Sequence, residues 1–169
     1  MHCSTGSHRE PSSSGSRIRG NTIANHPVQC DATESQLGAD AHIIEDNAVN
    51  NSNGFGIFVS GSNNLIQNNK INGAGANAIN IGPFPSNPGP FVNNRIIGNS
   101  LSGSSRVFNS SSISINHGSG TLVQGNVGNG RRSTPGVFVN ESVNTVAGNT
   151  LVNHNTGILI RGRARRVPG

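Results

Sequence analysis

The sequence contains no tryptophan and no tyrosine, and aromatic residues make up only 4% of its 169 positions. Charged residues are scarce too, at 11%, and hydrophobic ones reach 31%. A compact globule built from so few large side chains would bury too little area to offset chain entropy. The low charge argues against ordinary disorder, which favours high net charge and few β-branched residues. The two cysteines, Cys3 and Cys30, form no CxxC or Cys/His pattern, which speaks against zinc and favours two free thiols over one disulfide. The histidines at 2, 8, 26, 42, 117 and 154 likewise lack metal-ligand spacing. No apolar run is long enough to span a membrane, and residues 1–17 are polar, without a signal-peptide h-region. Export would require a signal of another kind, or one outside this sequence.

The net charge of +5 belongs mostly to the last nine residues, which carry Arg161, Arg163, Arg165 and Arg166. The rest of the chain balances eight basic residues against seven acidic ones. Its body is therefore not read as a specific nucleic-acid binder.

What is abundant is Gly, Ser and Asn, arranged in a repeat. Six phrases align: "IRGNTI" (18–23), "IEDNAV" (44–49), "IQNNKI" (66–71), "IIGNSL" (96–101), "VQGNVG" (123–128) and "VAGNTL" (146–151). Their asparagines, Asn21, Asn47, Asn69, Asn99, Asn126 and Asn149, recur at intervals of 22 to 30 residues. A period in the twenties signals stacked repeats. Before each Asn stands Gly20, Asp46, Asn68, Gly98, Gly125 or Gly148. These residue types tolerate positive φ, so every repeat has a sharp corner at one place. Flanking aliphatics three before and two after the Asn point inward, with one break at Gly128. A second strand follows with alternating pattern: "GIFV" (56–59), "AINI" (78–81), "SISI" (112–115), "GVFV" (136–139) and "GILI" (157–160). In the first repeat "PVQC" (27–30) takes this slot less convincingly.

Successive coils of such strands stack at about 4.8 Å, placing equivalent residues above one another. An inward Asn donates its amide to the Asn one coil away and to the backbone of the bend. A lone buried amide would cost about 1–3 kcal/mol, whereas a column satisfies itself. The predicted fold is an all-β parallel β-solenoid of about six coils with an internal Asn ladder. It would occupy residues 16–161, after a flexible segment at 1–15 and before a basic tail at 162–169.

The recurring "I-x-[GND]-N-x-[IVL]" corner and the "G-I-x-[IV]" strand resemble the right-handed parallel β-helix repeats of the pectate lyase-like superfamily. The resemblance implies a right-handed winding and an extracellular or cell-surface location. It leaves activity open, because lyases, hydrolases, epimerases, tailspikes and adhesins share the fold. Members usually carry end caps, and neither is visible here. The coil ends would then expose strand edges, which favours end-to-end self-association.

Candidate chemistry sits on outward columns and inserted loops. The outward column of the second strand, Phe58, Asn80, Ser114, Phe138 and Leu159, contains no acid, base or nucleophile couple. Segment 31–46 holds Asp31, Glu34, Asp40, Glu45 and Asp46 beside His42. It is a candidate calcium site, since calcium takes several hard oxygen ligands and similar lyases use it to grip uronates. The competing and favoured expectation is a solvated loop, with Asp46 at a corner and Glu45 paired to Arg19. Segment 82–92, with Phe84 and Phe91 among four prolines, is either a stiff lip for a sugar ring or, the favoured reading, a plain rigid loop. The turns before the second strand bring together Arg106, Phe108, Arg131, Arg132 and His154 as a basic ledge suited to carboxylates. Such arginines otherwise serve only solubility. The phrase "NHGSG" (116–120) resembles the Gly-His-Gly element of pectin hydrolases, but residues 47–169 contain no Asp, and the Asp-Pro-His element of alginate epimerases is missing.

These features favour a carbohydrate-active module that binds acidic polysaccharide without complete catalytic machinery. A polysaccharide lyase or uronate epimerase, using calcium and an Arg or His base, is the alternative. A structural fragment of an adhesin or tailspike is a second alternative.

Overall fold

The structure, a computed structural model, describes residues 15–24, 40–83, 89, 91–104, 110–140 and 143–162. Short strands separated by bends dominate it. The first coil gives β1 (Arg17–Arg19) and β2 (Thr22–Ala24). The second gives β3 (Ile43–Glu45), β4 (Ala48–Asn50) and β5 (Ile57–Val59). The third gives β6 (Leu65–Gln67), β7 (Lys70–Asn72) and β8 (Ile79–Ile81), followed by β9 (Phe91–Val92). The fourth gives β10 (Arg95–Ile97), β11 (Ser100–Ser102) and β12 (Ile113–Ile115), followed by β13 (Gly118–Ser119). The fifth gives β14 (Leu122–Gln124), β15 (Val127–Asn129) and β16 (Pro135–Val139). The sixth gives β17 (Thr145–Ala147), β18 (Thr150–Val152) and β19 (Thr156–Ile160).

The strands form parallel sheets that run the length of the stack. The first sheet is β1-β3-β6-β10-β14-β17, the second β2-β4-β7-β11-β15-β18, and the third β5-β8-β12-β16-β19. A small fourth sheet pairs β9 with β13. The described residues thus hold five complete coils and two strands of a first one. The third-strand slot of that first coil, with Cys30, lies outside the described residues, as does Cys3. Register is in step throughout, as in Ile44↔Ile66, Ile66↔Ile96 and Ile96↔Val123. The interior is a set of aliphatic columns. Ile66, Ile71, Ile79, Ile81, Ile96, Ile113, Ile115, Val123 and Val137 are fully buried. The pattern break at Gly128 has a local compensation. A Cβ there would lie 2.9 Å from a methyl of Leu151, which occupies the space one coil on.

The asparagine column is continuous. Asn21 donates both its backbone N–H and its Nδ2–H to Asn47 Oδ1, each at 3.0 Å. The same paired bonds join Asn47 to Asn69, Asn69 to Asn99, Asn99 to Asn126 and Asn126 to Asn149. Each Nδ2 from Asn47 onward also donates to a carbonyl of the preceding coil: Ile18, Ile44, Ile66, Ile96 and Val123. From Asn47 to Asn149 every amide oxygen and Nδ2 has a partner, which is why burying it carries little penalty. All six residues before these asparagines have φ between 55° and 69°.

A second, interrupted amide column stands five residues earlier, at Asn64, Asn94 and Asn144. Asn64 gives its N–H and Nδ2–H to Asn94 Oδ1 at 2.9 and 3.0 Å, and Thr121 N–H reaches Asn144 Oδ1 at 2.9 Å. In the second coil His42 fills the slot: its N–H donates to Asn64 Oδ1 and its Nδ1 accepts from Ser16 N–H. The residue before each member again has positive φ, including Ala41 at 60° and Val143 at 70°.

Candidate functional site

The third strands of coils five and six, β16 and β19, leave their outer face open. Phe138 and Leu159 are neighbours in register across β16 and β19 and lie half-buried on that face. Two residues beyond Leu159, on the same side, comes Arg161, whose backbone N–H donates to Val139 O at 2.8 Å. Its guanidinium sits over the Phe138 ring, 5.6 Å from the centroid. Ser110, Ser111, Ser133, Pro135 and Asn155 complete the walls of a groove of about 550 Å³ around these three residues. Ser111 is fixed from behind, its N–H donating to Asn77 Oδ1 at 2.6 Å and its hydroxyl to Ile113 O at 2.9 Å. The ring quadrupole holds the guanidinium while leaving its edge donors free, an arrangement suited to a carboxylate. Among the described residues the groove lining contains no carboxylate.

The same outer column is closed further back. Phe58, Asn80 and Ser114 were expected to face outward, yet each is buried. The adjoining bends fold over them. Phe55 packs on Phe58 with ring centroids 5.2 Å apart, Asn77 Nδ2 donates to Asn80 Oδ1, and Asn116 Nδ2 donates to Ser114 Oγ. Phe91 also departs from expectation: it is 1% exposed, lies in β9 and joins the core, so it forms no lip for a sugar. Phe84 lies outside the described residues.

Of the expected basic ledge, Arg131 and Arg132 are exposed on the turn before β16, beside Ser133 of the groove. That turn is closed by Thr134, whose N–H and hydroxyl both donate to Arg131 O. Arg106 and Phe108 lie outside the described residues. His154 is not on the ledge. It is turned into the stack, where its ring occupies the space a Cβ at Gly130 would need, only 1.9 Å from that point. Its Nε2 stands 3.5 Å from Ser112 Oγ, and burial pushes the imidazole below the ordinary histidine value. Gly130 admits the ring, and a half-buried neutral imidazole offers no cationic ledge.

In the acidic segment, Asp31 and Glu34 lie outside the described residues. Asp40 is exposed and accepts from Ser62 N–H at 2.6 Å. Glu45 is 4% exposed, and both of its oxygens are engaged. Gln67 Nε2 donates to Oε2 at 2.8 Å, Arg17 Nε donates to Oε1 at 2.6 Å, and Arg19 stands 3.5 Å from Oε1. The Gln67 and Arg17 hydrogen bonds hold its carboxyl below the usual carboxylate range. Asp46 is a corner residue with φ 55°, paired to Arg19 at 3.1 Å. Glu45 is thus an ion-paired group locking the first two coils. Among the described residues no cluster of three or more His, Cys, Asp or Glu side chains is placed to share a metal ion.

Composition alone joins Arg161 to the basic tail, although its i+2 spacing from Leu159 places it on the outer face. The second amide column had a signal too, an Asn five residues before Asn69, Asn99 and Asn149, masked by His42 and Thr121 at the other coils.

A family model described as right handed beta helix region matches residues 10–167 of the chain. Neither a curated protein nor a solved structure gives a significant match. Among the described residues no helix is long and apolar enough to cross a membrane.

Proposed function

The chain belongs to the right handed beta helix family, and from that premise we propose that it is a carbohydrate-active module binding acidic polysaccharide in the groove over β16 and β19. The observation that carries this reading is the guanidinium of Arg161 held over Phe138 on an open sheet face. A uronate carboxylate takes the guanidinium edge, and the apolar face of the sugar lies on Leu159 and the exposed part of Phe138. Ser133 and Asn155 supply hydroxyl and amide partners for sugar hydroxyls. Arg131 and Arg132 extend the positive edge along the adjacent turn. The described residues of the lining supply hydrogen-bond partners and a cation rather than a carboxylate or imidazole base, which favours binding.

Calorimetric titration with oligogalacturonate tests it. Arg161→Ala is expected to weaken binding by roughly ten- to a hundredfold, the range of one charge-assisted hydrogen-bond pair. Arg131→Ala with Arg132→Ala should weaken it less and flatten its salt dependence. Equal affinity for an uncharged galactan, or no binding of either, would overturn the proposal. A chelator should leave the affinity unchanged, because the described groove residues include no carboxylate to anchor calcium. Release of unsaturated uronate during the titration would move the assignment to a lyase.

A further inference from the structure

The two ends of the solenoid differ in hydrogen-bonding sense, and they match each other. Along the ladder every Oδ1 accepts from the coil before it. Among the described residues none stands before Asn21 in the ladder to donate to its Oδ1. Among the described residues no further Asn receives the backbone N–H of Asn149 in the sixth coil. Acceptor stands at one end and donor at the other, at the same point of the cross-section.

Side chains agree with this polarity. Laying β17 on β1 and β18 on β2, in the register used between all interior coils, opposes Val146 to Ile18 and Leu151 to Ile23. All four are inward aliphatics that are only partly buried at present, whereas their interior equivalents Ile44, Val49 and Val123 are no more than 3% exposed. The outward pairs would be Thr145 with Arg17, Ala147 with Arg19, Thr150 with Thr22 and Val152 with Ala24, so no like charges meet. The last coil also carries exposed apolar residues: Val152 is 44% exposed, Ile158 45% and Ile160 65%.

We infer that the last coil docks head-to-tail on the first coil of a second copy of this chain, through β17 and β18 against β1 and β2, continuing both the sheets and the asparagine ladder. A second copy fits because a surface complementary to the last coil already exists, coil upon coil, within the molecule. The contact is heterologous and does not close, so it yields a series of sizes rather than a single dimer.

Sedimentation velocity on the full chain over a hundredfold concentration range tests this, with charge placed at two exposed positions of the last coil. Wild type should show a concentration-dependent series of species. Thr145→Arg with Ala147→Arg sets like charges against Arg17 and Arg19 and should weaken association at least tenfold. Thr145→Glu with Ala147→Glu should strengthen it by a similar factor, in a salt-sensitive way. Both positions are solvent-exposed, and circular dichroism checks that the fold is kept. A monomer at every concentration, or association indifferent to both charge changes, would overturn the proposal.

Discussion

A buried amide is tolerated here only because each one sits between two others. Asn69 receives two bonds from Asn47, gives two to Asn99 and one to Ile44 O, at 1% exposure. Asn69→Ala would strand donors and acceptors on three coils, and a loss of about 3 kcal/mol is expected from the usual 1–3 kcal/mol per unsatisfied buried group. Asn21→Ala, at the solvent-exposed end of the column, should cost under about 1 kcal/mol; urea denaturation of the two variants gives the comparison. Backbone conformation offers a change of opposite sign. Val143 is 80% exposed with φ at 70°, a conformation a β-branched residue adopts only under strain. Val143→Asn should therefore stabilise by about 1 kcal/mol, read as a raised denaturation midpoint. The sequence disclosed the corner at Gly20, Asp46 and Asn68 because Gly, Asn and Asp advertise positive φ. It concealed the equivalent bend at Ala41 and Val143, where residues of the wrong type are held by stacking alone.

At the level of the strand and its bend, coils five and six form a coupled unit. Gly130 lacks the Cβ that would collide with His154, and Leu151 leans into the space above Gly128. The His154 imidazole has its pKa lowered by burial, so the unfolded chain binds a proton more readily than the folded one. The stability it supports is present above the ordinary histidine range and declines as pH falls through that range toward the lowered value. His154→Gln should remove this slope, measured as denaturation midpoint against pH. The inward aliphatic pattern of these strands was legible in the sequence, since period-2 alternation and a fixed repeat leave one way to face the core. The outer face was not. Phe58, Asn80 and Ser114 alternate as outward residues should, but the bends carrying Phe55, Asn77 and Asn116 cover them, and alternation carries no information about what a neighbouring bend does. His154 failed for a related reason, because a turn residue reads as exposed until a glycine one coil away makes room for it.

For the molecule as a whole, the repeat period and the corner residues located the stack, its axis and its ladder. The placement of the groove depends on which outer positions stay uncovered. Among the described residues of that outer column, Phe138, Leu159 and Arg161 stay uncovered. Direction along the axis has a further consequence. The side-chain amides of Asn21 through Asn149 all point the same way, so their dipoles add like cells in series. The oxygen pole falls at the first coil, where Arg17 and Arg19 project. The positive pole falls at the sixth, the coil that carries Arg161. The winding itself thus gives the ladder a fixed electrical direction along the axis, because every amide in it is held the same way round.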